Sequence, residues 1–217
     1  MHKGARGYET LPGHLARLLG RLQELDDPAL PRLELHEFNP LLDSSDMAPS
    51  DWLRVARAIE ERYDDFAGFV VLHGTDTLAY TASALSFLLE GLGKPVIVTG
   101  SQVPLERLRS DARENLLASA LLAVSPELHE VCVFFGGTLF RGNRVTKVSA
   151  SGFDAFESPN EAALAVATLI LYLTKGFFTG YSSPSRVAVV TFVLVFFVLG
   201  SVARMALRSY QHRLFAQ

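Results

Sequence analysis

The sequence has a single cysteine, Cys132, among its 217 residues. A lone thiol cannot form a disulfide within the chain, and its position in an apolar run indicates a residue of the buried core. The six histidines include no pair at metal-ligand spacing, and the sequence has no cluster of cysteine and histidine, so we expect no metal. The Gly-rich loops that cradle phosphates are also absent, so we expect no nucleotide and no other cofactor.

Charge of one sign is not in excess either. The 20 Lys and Arg residues are scattered among 23 Asp and Glu residues, and the formal net charge is −3. No basic field is available to attract phosphates, so we expect no nucleic-acid partner. The N-terminus lacks the basic segment and apolar core of a secretory signal, and the single cysteine fits a reducing compartment. We therefore expect a cytoplasmic protein.

What the sequence does contain is an alternation of two apolar patterns. Runs typical of strands alternate with runs of three- and four-residue spacing, which are typical of amphipathic helices. Strands that alternate with helices through short loops predict an α/β fold, with a mainly parallel sheet and helices on both faces. The predicted helices cover residues 12–25, 51–63, 78–90 and 111–124, and the predicted strands cover 33–38, 69–73, 96–100 and 131–135, with a loop at 39–50 and a hairpin arm at 144–148.

Residues 73–77 (His-Gly-Thr-Asp-Thr) directly follow the apolar run Phe69–Leu72, which the pattern predicts to be a buried parallel strand. They place a hydroxyl, on Thr75, and a carboxylate, on Asp76, at the carboxyl end of that strand, where ligands of open α/β sheets bind. The hydroxyl could act as a nucleophile and the carboxylate could hold a substrate cation. The alternative is an ordinary strand-to-helix turn in which one of these residues caps the next helix.

The composition changes toward the C-terminus. Residues 162–174 carry no charge, and residues 187–203 form a second uncharged run between Arg186 and Arg204. About 20 apolar residues span a bilayer, so this run is at the short end for a membrane helix with the arginines as anchors. It would equally suit a buried segment of a soluble core, or an end that is not the natural continuation. The expected organisation is an α/β domain, 1–160, followed by an apolar tail, 161–217.

Four stretches carry the most specific signal in the sequence: residues 43–47, 69–87, 98–104 and 140–147. In this order they resemble the motifs of the bacterial type I, cytoplasmic L-asparaginase family, and the likeness covers about residues 7–160. The resemblance implies the N-terminal α/β domain of that family. It also implies hydrolysis of the side-chain amide of L-asparagine to L-aspartate and ammonia, and assembly into a homo-oligomer.

The resemblance implies that Thr75 is a catalytic threonine that works with Asp76 and Lys147. A threonine hydroxyl needs a base to become nucleophilic, or to position water, and a partly desolvated lysine can serve if its pKa falls. The Asp76 carboxylate opposes this because it favours the charged ammonium, so the proton positions stay open at this level. Taken alone, the position of Lys147 favours a solvated charge on a hairpin over a catalytic group.

The resemblance also implies a substrate-binding segment at Asp43, Ser44 and Ser45, in which the two serines contact the α-carboxylate region of the substrate. In the alternative interpretation these serines form a turn after a proline. Ser101 and Gln102 follow the predicted strand at 96–100, at the same edge of the sheet. They either line the substrate pocket or cap the following helix.

Members of this family carry a second catalytic threonine in a Thr-Gly-Gly-Thr-Ile motif and a smaller C-terminal domain. The present sequence contains no such motif, and the match fades after residue 160. It therefore resembles the central part of the family, and we expect little or no amidohydrolase activity from this chain alone. The alternative function is a non-catalytic or membrane-associated protein that reuses the sheet and contacts a membrane through residues 187–203.

Overall fold

The computed structural model describes residues 2–4, 7–9 and 11–166 of the chain. The apolar tail predicted for residues 161–217 lies almost wholly outside these ranges. Its uncharged run at 187–203 lies entirely outside them, so both remain predictions. Within the described part of the chain, no helix is both long enough and apolar enough to cross a membrane.

Nine strands, four α-helices and two short 3-10 helices organise the described residues. Five of the strands form one mixed sheet in the spatial order β3-β4-β5-β6-β9. The strands β3, β4 and β5 are parallel to one another, β6 is antiparallel to β5, and β9 is antiparallel to β6. The pairs β1-β2 and β7-β8 are separate antiparallel ladders. The strands are β1 (His2–Gly4), β2 (Gly7–Glu9), β3 (Phe69–Leu72), β4 (Val96–Thr99), β5 (Val131–Phe135), β6 (Thr138–Arg141), β7 (Thr146–Lys147), β8 (Phe156–Glu157) and β9 (Ala165–Val166), and the helices are α1 (His14–Leu19), α2 (Pro49–Glu60), α3 (Leu78–Leu88) and α4 (Ala112–Leu122).

Helices cover both faces of the parallel strands, as the sequence predicts. Val96 and Val98 of β4 point to one face, where they share a core with residues of α2 and α3. Ile97 lies between them and points to the opposite face because side chains alternate along a strand. There α4 packs against β3, β4 and β5. With helices packed on both of its faces, the sheet has the carboxyl ends of its parallel strands at one edge.

The strand β3 lies at the edge of the described sheet, so the prediction that it is buried was wrong. Its first three residues are half-buried and Leu72 is 38% exposed, whereas every residue of β4 and β5 is buried. The reason is topological, since β3 has a hydrogen-bonded neighbour, β4, on one side only. A continuous apolar run does not distinguish an edge strand from a central one.

Residues 33–38 form no strand, so this prediction was also wrong. Leu33 and Leu35 alternate with polar residues, yet they are 42% and 41% exposed and no described strand lies beside them to pair with. Their polar neighbours bind elsewhere instead. Glu34 pairs with Arg62, and the Glu37 carboxylate accepts a hydrogen bond from the backbone N–H of Gly13 at 2.9 Å.

The hairpin partner of β5 is β6, and not the segment 144–148 that the sequence predicts. Gly136 and Gly137 both have positive φ, 56° and 75°, as a tight two-residue hairpin turn requires. They turn the chain at once, so that Phe135 pairs with Thr138. The strand within the predicted arm is β7, which pairs with β8 rather than with β5.

The helices α3 and α4 lie within two residues of their predicted bounds, 78–90 and 111–124, whereas the first two helices differ for physical reasons. The predicted helix 12–25 is interrupted at Gly20, where α1 ends, and a 3-10 helix follows at Gln23–Asp26. Glycine disfavours a helix interior because its backbone has the most conformational freedom to lose. The helix α2 begins at Pro49 rather than at residue 51, because a proline is tolerated in the first turn, where its missing N–H costs nothing.

The lone cysteine is a core residue, as predicted. The Cys132 side chain is fully buried within β5. Burial, helped by the nearby negative charge of Glu130, raises the pKa of its thiol to about 12. A thiol in this environment stays protonated and is a poor nucleophile.

Candidate active site

The carboxyl ends of β3 and β4 lie side by side, and they bring together the stretches 69–87 and 98–104 of the sequence. Leu72 pairs with Thr99 at the last position of the parallel ladder, and the backbone N–H of His73 donates to the Thr99 carbonyl at 2.8 Å. The chains separate only after this bond. A side-chain carbon built at Gly100 would lie 2.1 Å from the His73 carbonyl oxygen, so this close approach requires glycine.

Thr75, Asp76 and Lys147 meet at this edge although Lys147 lies 72 positions from Thr75. The strand β7 brings Lys147 over the end of β3, where its Nζ donates to the Thr75 Oγ1 at 2.9 Å and to the Asp76 Oδ1 at 2.8 Å. The Lys147 side chain is only 18% exposed, whereas the Asp76 side chain is 73% exposed. The ammonium is therefore partly desolvated while its carboxylate partner stays in water.

Gln102 is the fourth side chain at this point. The Thr75 hydroxyl donates to its Oε1 at 2.9 Å. The Nε2 of the same amide donates to the carbonyl of Gly152 at 3.1 Å and, more weakly, to that of Ser149 at 3.5 Å. Gln102 thus joins the threonine to the loop that follows Lys147.

Asp111 and Asn115 hold the Gln102 segment in place through hydrogen bonds. The sequence motifs did not predict this function for either residue. The Asp111 carboxylate accepts from the backbone N–H groups of Gln102 and Val103, both at 2.9 Å. Asp111 occupies the N-cap position of α4, but its side chain makes no capping hydrogen bond there. Asn115 is 2% exposed and donates to the Gly100 carbonyl at 2.9 Å. An amide among the residues of a predicted helix that face the core was the available signal, since buried amides must be hydrogen-bonded.

Of the predicted substrate-binding segment, only Ser44 lies against the His-Gly-Thr-Asp-Thr stretch, 73–77, whereas Asp43 and Ser45 are hydrogen-bonded to each other. A side-chain carbon built at Gly74 would lie 2.0 Å from the Ser44 Oγ, so the serine sits directly against the backbone that precedes Thr75. Asp43 accepts from the Ser45 N–H at 2.9 Å and from the Ser45 Oγ at 2.8 Å. These two bonds lower the pKa of the Asp43 carboxyl.

A cleft of about 570 Å³ lies beside Asp76 and Lys147, and neither Thr75 nor Ser44 is among its lining residues. Its walls include Asp76, Lys147, Tyr80 and Asn143. The predicted pocket residue Ser101 is half-buried, and its side chain makes no hydrogen bond within the described ranges. The cleft is of the size that holds small organic ligands in proteins.

A buried chain of hydrogen bonds fixes the histidine at the head of the motif. The His73 Nδ1 lies 2.7 Å from the Gly74 carbonyl, so it must be the protonated nitrogen, because a carbonyl only accepts. The Nε2 then accepts from the Thr81 hydroxyl at 2.9 Å, and the Trp52 indole donates to that hydroxyl at 3.0 Å. Burial lowers the pKa of His73, against a smaller opposing effect of its bond to Gly74. The lowered pKa favours the neutral ring.

We expect this lowered pKa to make the fold less stable in mild acid. Below the ordinary histidine pKa of 6.5 the unfolded chain binds a proton at His73 that the folded chain rejects, so stability is fully present above that pH and declines as the pH falls through it. Denaturant midpoints measured from about pH 7.5 to about pH 5.5 should therefore fall more for the wild type than for His73→Gln. The exposed His36, as His36→Gln, is the control; an equal pH dependence in wild type and His73→Gln would contradict this account.

Comparison with known proteins identifies the family. The family model described as "Asparaginase, N-terminal" matches residues 4–174. L-asparaginase 1 of Escherichia coli (strain K12) is 56% identical over 160 residues, which are 74% of this chain and 47% of that protein. L-asparaginase I from Vibrio cholerae is a similar solved structure, with a TM-score of 0.68 at 49% identity, covering 73% of this chain and 48% of the other.

A more distant solved structure agrees. The probable cytoplasmic L-asparaginase from Campylobacter jejuni has a TM-score of 0.55 at 31% identity over 58% of this chain and 41% of its own. The chain thus spans about half the length, or less, of the relatives compared. By the extent of the family match and the shared α/β sheet, the chain belongs to the asparaginase family.

Proposed function

We propose that this edge of the sheet hydrolyses the side-chain amide of L-asparagine, giving L-aspartate and ammonia. The observation that carries the proposal is the contact of the Lys147 Nζ with both the Thr75 hydroxyl and the Asp76 carboxylate, at 2.9 and 2.8 Å. An alcohol held against a partly desolvated amine, with a third group that orients the amine, is the arrangement of an activated nucleophile.

In the proposed reaction the Thr75 Oγ1 bonds to the amide carbon of the substrate. Once Lys147 is in its amine form, the Thr75 hydroxyl turns its proton from Gln102 to the Lys147 Nζ, and the proton passes from there to the departing nitrogen, which leaves as ammonia. Water then cleaves the ester between Thr75 and the aspartyl group, which releases L-aspartate and restores the hydroxyl.

Recognition of asparagine requires groups for both of its backbone charges. We assign its α-ammonium to the Asp76 Oδ2, because only Oδ1 is engaged by Lys147 within the described structure. We assign its α-carboxylate to the hydroxyl of Ser44, which lies against the motif. Asp43 and Ser45, which bind each other, shape the turn that holds Ser44 in place.

Ammonia and aspartate release by the purified chain is the test. The sequence predicts little or no activity from this chain alone, so both products are followed in long incubations, and a preparation from empty-vector cells sets the background. We expect L-asparagine to be hydrolysed with a kcat/KM about 10- to 100-fold higher than 3-carbamoylpropanoate, which lacks only the α-ammonium, since a charge-assisted hydrogen bond contributes about that factor.

Two outcomes would contradict the proposal. An equal kcat/KM for the two amides would show that Asp76 does not bind the α-ammonium of the substrate. If circular dichroism shows that the chain is folded and it still releases no more ammonia than the empty-vector background, the proposed hydrolysis is wrong.

We also propose that the protein is cytoplasmic and forms a homo-oligomer. The name of the Campylobacter jejuni relative supports the first statement. The second is supported by the resemblance to the family and by Tyr80 and Phe87 of α3, which are 67% and 68% exposed. Cell fractionation and analytical ultracentrifugation test the two statements separately.

A further inference from the structure

The polar atoms of Gln102 are all engaged by the protein. Its Oε1 accepts from Thr75, and its Nε2 donates to the carbonyls of Gly152 and Ser149. An amide nitrogen has two protons to donate, and both are directed at these carbonyls. This leaves no donor of Gln102 for a substrate, although the sequence raised the expectation of a substrate contact here.

The two carbonyls also determine which way round the amide lies. A carbonyl oxygen only accepts, so the atom of Gln102 that faces Gly152 and Ser149 must be the nitrogen. The oxygen then faces Thr75, and the threonine must be the donor in that contact. Its hydroxyl proton is therefore directed toward Gln102 and away from Lys147, while a lone pair of its oxygen receives the ammonium of Lys147 at 2.9 Å.

The backbone of Gln102 is held as firmly as its side chain. Its N–H donates to the Asp111 carboxylate at 2.9 Å. That carboxylate also receives the side chain of Asn115 at 3.3 Å, and Asn115 is anchored to the carbonyl of Gly100. Asn115, a buried residue of α4, thus helps through Asp111 to fix the position of the Gln102 backbone at the edge of the sheet.

We propose that Gln102 is a positioning residue, which fixes the rotamer of Thr75, and so the position of its oxygen, and ties Thr75 to the loop after Lys147. This inference rests on the proposed hydrolysis for its effect on rate, but not for its structural content. Gln102 acts through Thr75 and does not touch the substrate. Its removal should lower kcat and leave KM nearly unchanged, because the ground-state complex loses no contact.

The first measurement is the steady-state release of ammonia from L-asparagine by Gln102→Met, which keeps the side-chain length and removes its hydrogen bonds. We expect kcat to fall at least about tenfold, since small misplacements of a reacting group have effects of this size, and KM to change less than about twofold. Gln23→Met, a matched change at an exposed glutamine of a 3-10 helix, should change neither constant. An increased KM with an unchanged kcat would show a substrate contact and overturn the proposal.

The second measurement needs no activity. A double-mutant cycle combines Gln102→Met with Thr75→Val and follows the unfolding equilibrium in denaturant. We expect Gln102→Met to raise the unfolding equilibrium constant about fivefold more in the wild type than in the Thr75→Val background, as a hydrogen bond between the two side chains requires. Additive effects would overturn the proposal.

The two measurements also separate this inference from the proposed function. If the wild type releases no ammonia, the hydrolysis fails and the cycle still decides whether Gln102 holds Thr75. If the wild type is active and the cycle is additive, the inference alone fails. Should Gln102→Met not fold, Gln102→Asn replaces it in both experiments, because it keeps the amide but withdraws it from Thr75 by one methylene.

Discussion

Replacing Thr75 by valine is expected to lower the rate of ammonia release at least about 1,000-fold, the scale of losing a catalytic nucleophile. Valine keeps the branched shape of threonine and removes only the hydroxyl that Lys147 and Gln102 contact. The backbone between β3 and α3 should be unaffected, because both residues have similar χ1 preferences. The measurement is kcat for L-asparagine, with the denaturant midpoint as a check on folding.

Two further variants interpret that result. Thr75→Ser keeps the hydroxyl but loses the methyl group that restricts its rotamer, so we expect a loss of only about tenfold. Thr138→Val is the matched control in β6, at the hairpin turn, and should leave the rate unchanged. Comparable rates for wild type and Thr75→Val would show that another group attacks the amide, and the proposed mechanism would have to be abandoned.

Replacing Gly68 by alanine is expected to destabilise the fold by about 2–3 kcal/mol, the usual range for forcing atoms into a packed position. A side-chain carbon there would lie 1.8 Å from the Ala123 carbonyl oxygen and 3.1 Å from the Pro95 carbonyl oxygen. Both contacts are backbone, so no rotamer change relieves them. Either the end of α4 moves away from β3, or the first ladder bond, from the Phe69 N–H to Pro95 at 2.9 Å, is lost.

The matched control is Gly20→Ala. Gly20 has φ −64° and ψ −4°, which alanine adopts without strain, and the added carbon would make only an ordinary contact, 3.5 Å from the Ala16 carbonyl. We expect this change to be neutral or to stabilise the fold by about 0.4–1 kcal/mol, through a smaller entropy of the unfolded chain. Urea denaturation of the three proteins measures both effects, and equal midpoints for wild type and Gly68→Ala would contradict the packing described here.

Sequence patterns predicted the fold correctly where they are local and strong. The helix α3, the strands β4 and β5, and the position of Thr75 and Asp76 after β3 follow from apolar runs and from glycines that end them. The prediction failed at residues 33–38, because period-two alternation shows only that a segment could pair and not whether a neighbour exists. It also failed at the hairpin, because two adjacent glycines turn the chain at once.

The candidate site divides in the same way. The sequence alone determined that a hydroxyl and a carboxylate, on Thr75 and Asp76, stand at the carboxyl edge of a parallel strand, because strand direction and residue order are local properties. Only the tertiary structure decided that Lys147, from a distant ladder, comes within 2.9 Å of that hydroxyl. It also decided that Gln102 faces Thr75 rather than the cleft, because the direction of an amide depends on carbonyls that the sequence places about 50 residues away.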